Sequence, residues 1–417
     1  MFSSLSIPNY RKYFIGCLSG NTGNWMSMTA KSWLVLVELT NGSATTLGWL
    51  TTFMFLPQFI LQPLGGMLAD RVPKRTIALF TQSLLCASAA TLSILVLSGH
   101  IALWHVFALA LFDGTVGSFD GPARQSFVSE LVPREKLPNA IGLNSASWNA
   151  ARLLGPAAAG LLIAAIGTGY AFAINACSFL VLIVLLVRMD TSQILNQATR
   201  AAKPKGGMMA GARYVFSRPE IALLFFIAFM MGTFAFNYNI TNTLISTSVF
   251  HKGPGEYGLL GSVMGIGSLT GALLSARREK PRIRHILGFL GGFAVCFAVS
   301  AVVPTFWSFA LIMVPIGLCS VSVMVIANSM VQISVPQDIR GRVMALWGVA
   351  VMGLVPAVSP LLGWVGDLLG ARATIWVGAI AIIITFAAVC WWLFIRQGIR
   401  LYRTDGLHFQ VKYPDED

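Results

Sequence analysis

Apolar residues recur along the chain in long runs broken by short polar turns. A helix crosses the hydrocarbon core of a bilayer with about 20 predominantly apolar residues. Runs of that order lie near 13–37, 46–69, 76–98, 103–127, 139–166, 169–188, 220–249, 256–278, 284–303, 306–333, 342–368 and 373–395. The pattern predicts an all-α membrane protein of twelve transmembrane helices. A weak internal repeat divides them. Val132-Pro133-Arg134-Glu135 after the fourth run corresponds to Val335-Pro336-Gln337-Asp338 after the tenth, and Gly160 and Gly167 correspond to Gly363 and Gly370 at the same spacing. Gly48-Trp49-Leu50 and Gly258-Leu259-Leu260 open the second and eighth runs alike. The repeat predicts two pseudo-symmetric six-helix bundles, 1–188 and 220–396, joined by a basic linker, 189–219. A polar cytoplasmic tail, 397–417, comes last and is expected to be mobile. Parallel repeats of this kind build a binding site between halves that rock about it.

Composition narrows the class. Of 417 residues, 56% are apolar and 11% charged. That is less than half of the roughly 25% charged residues of a soluble domain, so soluble globular folds are excluded. The net charge of +13 would suggest nucleic acid in a soluble chain, but its distribution has another account. With the N-terminus inside, Lys and Arg crowd the cytoplasmic segments. Only Lys252 and Arg372 fall in external loops, and Lys31 and Arg152 sit within spans. That asymmetry predicts a multi-pass membrane protein with both termini cytoplasmic and no nucleic-acid partner. Trp49, Trp104, Trp307, Trp376, Trp391 and Trp392 fall near helix ends, as an interfacial aromatic belt would. The cysteines lie inside apolar runs, the histidines are scattered, and no CxxC, HExxH or phosphate-cradling glycine loop occurs. No metal, cofactor or ATP-driven pump is therefore expected. A polytopic enzyme would need a catalytic cluster and a sensor an added soluble domain, and neither is expected.

Ionisable side chains inside a span cost about 2.5–3.5 kcal/mol each on insertion scales, so the few present are candidates for function. Asp113 lies midway along the fourth span and Arg152 in the fifth; Lys31 lies in the outer half of the first, and Asp120 towards the inner end of the fourth. Asp113 and Asp120 share a helical face, and Arg124 stands one turn beyond Asp120, within pairing reach. Two readings stand side by side. Either Arg152 braces Asp113 or Asp120 across neighbouring spans, or one carboxylate, Asp113 in preference, loses and regains a proton while a cation responds. On the first span Gly20, Asn24, Ser27 and Lys31 form one polar stripe that must face protein or water, unless Lys31 snorkels outward.

Between the second and third spans stands Gly65-Gly66-Met67-Leu68-Ala69-Asp70-Arg71-Val72-Pro73-Lys74-Arg75. The small pair lets helices approach. Asp70 is placed to meet a helix N-terminus of the other half, where the macrodipole favours a carboxylate by roughly 0.3–1 kcal/mol. Gly66, Asp70, Arg71, Arg75 and Arg124 are the expected cytoplasmic gate. Further on come Phe112-Asp113-Gly114, Asp120-Gly121-Pro122-Ala123-Arg124-Gln125, Leu143-Asn144-Ser145, Arg152-Leu153-Leu154-Gly155-Pro156 and Gly341-Arg342-Val343-Met344. With the topology, these stretches resemble the major facilitator superfamily, in particular its bacterial siderophore (enterobactin) and macrolide exporter branch. Pro73 and Lys74 depart from the superfamily's loop signature. The resemblance implies a central cavity among helices one, four, seven and ten. Its expected substrate contacts are Asn24, Ser27 and Lys31, then Phe234, Tyr238, Thr241 and Asn242 of the seventh span, and Asn328 and Gln332 of the tenth. It also implies that Asp113, Asp120 and Arg152 handle protons. The expected function is that of a monomeric, non-enzymatic, proton-coupled exporter of an amphipathic and partly anionic small molecule, such as a siderophore, by alternating access. Multidrug or macrolide efflux and lysophospholipid translocation are the alternatives.

Overall fold

The structure is a computed structural model that describes residues 3–194, 208–276, 282–393, 400–404 and 408–412. Arg200, Lys203, Lys205, Arg277, Arg278, Lys280, Arg396 and residues 195–207 of the predicted linker lie outside the described residues. Helices α1 (Pro8–Trp33), α2 (Ala44–Ala69), α3 (Lys74–Leu97), α4 (Leu103–Leu131), α5 (Leu137–Ile166) and α6 (Thr168–Val187) form the first half. After a short helix α7 (Met208–Ser217) the second half holds α8 (Pro219–Met230), α9 (Tyr238–Leu244), α10 (Pro254–Ala276) and α11 (Ile283–Ser300). It continues with α12 (Phe306–Ser334), α13 (Gln337–Met352), α14 (Val355–Leu369) and α15 (Ala371–Trp391). In the tail, β1 (Arg400–Thr404) pairs antiparallel with β2 (His408–Lys412).

Among the described residues, ten helical stretches are long and apolar enough to cross a membrane. Helices α1 and α4 are as long as the others but too polar to join them. Helices suit a bilayer because each satisfies its own backbone groups. Their outward faces are apolar: Phe80 is 65% and Leu311 74% exposed, and Trp49, Trp104, Trp307, Trp376 and Trp391 are exposed near helix ends.

Small residues set the packing within each half, and the same device appears twice. A Cβ added to Gly65 or Gly114 would lie 2.1 Å from Ser118 O or 2.5 Å from Met54 O, at the α2–α4 contact. At the α10–α12 contact, one added to Gly271 or Gly317 would lie 2.4 Å from Leu318 O or 2.2 Å from Met264 O. Only glycine permits backbones this close.

The halves meet along two seams related by the repeat, α2 with α14 and α5 with α10. A Cβ on Gly363 would strike Ala44 O at 2.3 Å, and one on Gly258 would strike Pro156 O at 2.3 Å. Pro156 lacks an N–H and opens the α5 ladder around it. Into that opening the other half inserts Ser262, whose hydroxyl accepts from Ala157 N at 3.1 Å and donates to Leu153 O. On the other seam Thr52 Oγ1 donates to Pro356 O at 2.5 Å. Trp33 stacks on Tyr257 with ring centroids 6.1 Å apart. At the opposite end, which carries Asp70 and the basic loops, a Cβ added to Gly66, Gly121, Gly142, Gly341 or Gly348 would meet nothing within 4 Å. The ion pairs Lys74–Glu130 and Arg124–Asp120 near that end both lie within the first half. Among the described residues the two halves form a V, closed at one end and open at the basic end.

Two rods of the second half are broken. The backbone between α8 and α9 passes through a π-helical turn, Met231–Ala235, and α13 gives way to α14 at Gly353, whose φ of +57° suits glycine. The breaks satisfy one another: Leu354 N donates to Thr233 Oγ1 at 3.1 Å, and Ser359 Oγ to Asn237 Oδ1 at 2.8 Å. Gly258→Leu is expected to force α10 off α5 and open the seam. A cysteine placed at Ala157 in a cysteine-free background should then react several-fold faster with a water-soluble maleimide; an unchanged rate would show that the seam does not depend on this close approach.

Candidate binding cavity

A cavity of about 700 Å³ opens in the wall of the first half that faces the gap. Its lining includes Asn24, Ser27 and Lys31 of α1, so the predicted polar stripe does turn inward, together with Gln58 of α2, Asp113 and Asp120 of α4 and Asn149 of α5. The two helices too polar to pass as spans supply most of its polar groups. Their polarity is therefore turned to the cavity and away from lipid.

Lys31 Nζ donates to Asp113 Oδ2 at 2.5 Å, with the Lys31 side chain 6% and the Asp113 side chain 23% exposed. The other oxygen, Asp113 Oδ1, is buried and has no partner among the described residues. Two turns towards the open end, Asp120 accepts from Thr81 Oγ1 at 2.7 Å, Gln82 Nε2 at 2.9 Å and Arg124 NH1 at 3.3 Å. Arg124 also donates to Asn21 Oδ1 at 2.8 Å. The predicted Asp120–Arg124 pair is present. Asp120 is thus fully engaged, whereas Asp113 keeps a free acceptor. The four charges of this cavity sum to zero.

The expected brace between Arg152 and either aspartate is not formed. Arg152 NH2 donates to Asn149 Oδ1 at 3.1 Å, and its side chain lines a second cavity of about 80 Å³ with Tyr238 and Asn242 of the second half. Asp113 faces α1, so Lys31 takes the counter-charge role assigned to Arg152. Other predicted contacts lie elsewhere. Phe234 sits in the π-helical turn, Thr241 is buried, and Gln332 Nε2 donates to Asn328 Oδ1 at 3.1 Å; none of these four lines either cavity. At the basic end Asp70 and Arg71 are exposed. Arg75 caps the C-terminus of α6 through Leu186 O and Val187 O at 2.9 and 3.2 Å, and Lys74 pairs with Glu130 at 2.6 Å. The predicted contact of Asp70 with the other half is open.

The same kind of contact exists at the closed end, made by a residue outside the predicted set. Asp367 of α14 accepts from Ala44 N at 2.7 Å and Thr45 N at 2.9 Å, the first amides of α2. A carboxylate on a helix N-terminus joins the macrodipole and orphan donors to a negative charge. The one sequence signal was an acidic residue at the edge of the eleventh run.

Lys31→Met is expected to strand the Asp113 carboxylate and lower unfolding stability by about 1–3 kcal/mol, since the wet cavity screens part of the 3–5 kcal/mol cost of breaking a fully buried pair. Lys31→Met with Asp113→Asn should recover most of the loss in thermal unfolding. No recovery would mean that the two charges are not coupled.

The family described as transmembrane secretion effector matches residues 1–399. The multidrug efflux pump Tap of Mycolicibacterium fortuitum is 25% identical over 86% of this chain and 89% of its own length. The enterobactin exporter EntS of Citrobacter koseri is 21% identical over 75% of each. A POT family transporter in complex with 5-aminolevulinic acid superposes with a TM-score of 0.72 at 14% identity, covering 92% of this chain and 95% of that one. A D-xylose–proton symporter superposes with a TM-score of 0.69 at 15% identity, covering 92% and 96%. With its two packed halves, its polar cavity and a family match along nearly its whole length, the chain belongs to the transmembrane secretion effector family of major facilitator transporters, which are not enzymes.

Proposed function

We propose that the chain exports an amphipathic solute across the bacterial inner membrane, in exchange for protons, by alternating access between two six-helix bundles. The observation that carries this reading is the Lys31–Asp113 pair in the wall of the large cavity, with Asp113 Oδ1 unpartnered. When Asp113 is ionised the pair is neutral and the free oxygen can accept from an N–H or O–H of the solute. When a proton occupies that oxygen, the acceptor is lost and Lys31 stands without a counter-charge. Solute and proton then compete for one lone pair, which is the sign an antiporter needs. A solute presenting only negative charge here would have the opposite sign, because it gains from the freed Lys31. The best match is an amphiphile with a donor or cationic group at this end. Drug-like and siderophore-like solutes of that kind both suit a relative of Tap and EntS.

The excess of Lys and Arg in the basic loops supports placing the open end in the cytoplasm, with both termini inside. The V then faces inward, and Asp367 on α2 is the external latch. Release of Asp367 and engagement of Asp70 would mark the outward-facing state.

In everted vesicles energised by respiration, a panel of siderophores, macrolides and lysophospholipids should include a solute whose addition releases trapped protons, read by acridine orange. Asp113→Asn should abolish that release while binding remains; unchanged release would reject Asp113 as carrier. Asp367→Ala should weaken the closed end by about 1–2 kcal/mol. Distances between spin labels on α2 and α14 should then show a larger open population at that end, and an unaltered distribution would remove the latch.

A further inference from the structure

The second cavity lies where the halves meet and is lined from both: Trp25, Thr29 and Arg152 from the first, Tyr238, Asn239 and Asn242 among those from the second. At about 80 Å³ it has room for roughly two or three waters at ~30 Å³ each. Asn149 hydrogen-bonds Arg152 and also lines the large cavity, so the two spaces adjoin.

The charges in these spaces are unequally served. Lys31 has Asp113 and Arg124 has Asp120. Among the described residues Arg152 makes no ion pair, its Nε is buried without a partner, and its NH2 donates to a neutral amide. A guanidinium taken from water without a counter-charge is unfavourable, and its planar fork is shaped for a carboxylate or similar anion. The Asn239 and Asn242 side chains bring further N–H groups to the same space from the other half.

We infer that Arg152 anchors an anionic substituent of the transported amphiphile, a carboxylate, ionised phenol or sulfonate, at the seam between the halves. This rests on the efflux reading above and extends it. The solute then carries a donor group for Asp113 and an acceptor group for Arg152, one at each end of an apolar body, and the anionic end touches both halves at once.

Anilinonaphthalene sulfonate and phenylnaphthylamine share an apolar body and differ by the sulfonate. With the full chain in lipid nanodiscs and empty discs subtracted, fluorescence titration should show saturable binding of both. Arg152→Gln should weaken the sulfonate about tenfold or more, the scale of a charge-assisted hydrogen bond, while phenylnaphthylamine changes by less than about twofold. Equal loss of both, or no loss, overturns the anchor. A second readout needs no variant: phenylglyoxal modification of Arg152, followed by peptide mass spectrometry, should be slowed by the sulfonate and not by phenylnaphthylamine, and equal rates overturn the proposal. Both readouts measure binding without transport. A chain that prefers the sulfonate but exchanges no protons refutes the coupling alone; one that exchanges protons without the preference refutes the anchor alone.

Discussion

A charge held within a hydrocarbon layer must be neutralised where it stands, and the 2.5 Å contact between Lys31 and Asp113 is how this chain does so. The arrangement of the first half depends on that demand. Helices α1 and α4 are too polar to face lipid, so they turn their stripes inward and leave α2, α3, α5 and α6 to present apolar surface. The pair is balanced in charge but not in hydrogen bonds. Lys31 uses one carboxylate oxygen and leaves the other free in a hollow large enough for a solute.

A wall of this kind is useful only if the halves can part, and the seams are built accordingly. They rest on glycine contacts, a serine hydroxyl set into a proline-opened ladder, and one carboxylate on a helix start. None of these contacts needs a long side chain to reorder, and each satisfies backbone groups that lipid would leave bare. At the basic end a Cβ added to Gly66, Gly121, Gly142, Gly341 or Gly348 would meet nothing within 4 Å among the described residues. Asp70, just past α2, stands exposed at the open end, while Asp367 on α14 holds a helix-start contact at the closed end.

Much of the site was legible in the residues and some was not. The stripe Asn24, Ser27 and Lys31 keeps to helical spacing on an unbroken helix, so its inward face was readable. The partner of Asp113 was not. Periodicity places a side chain on a face but does not say which neighbouring helix lies opposite at that depth, and α1, not α5, holds the cation that meets Asp113. Phe234 and Thr241 were misplaced for another reason. The π-helical turn Met231–Ala235 and a break interrupt the seventh span, and the extra residue in that turn rotates the side chains beyond it away from the regular phase. Asp367 escaped because an acidic residue at the edge of an apolar run looks like ordinary interface.

By itself, the sequence determined that the chain lives in a bilayer, that its helices come as two repeated sets, and which few polar groups had to be sheltered. Those conclusions depend on transfer free energies and spacing along one helix, which local composition carries. Only the tertiary structure decided that Lys31 rather than Arg152 neutralises Asp113, that Asp367 rather than Asp70 holds the closed contact, and that Arg152 lies at the seam without a counter-charge among the described residues. Those outcomes depend on the depth and rotation at which separate helices meet, and close packing of small residues from distant parts of the chain sets both.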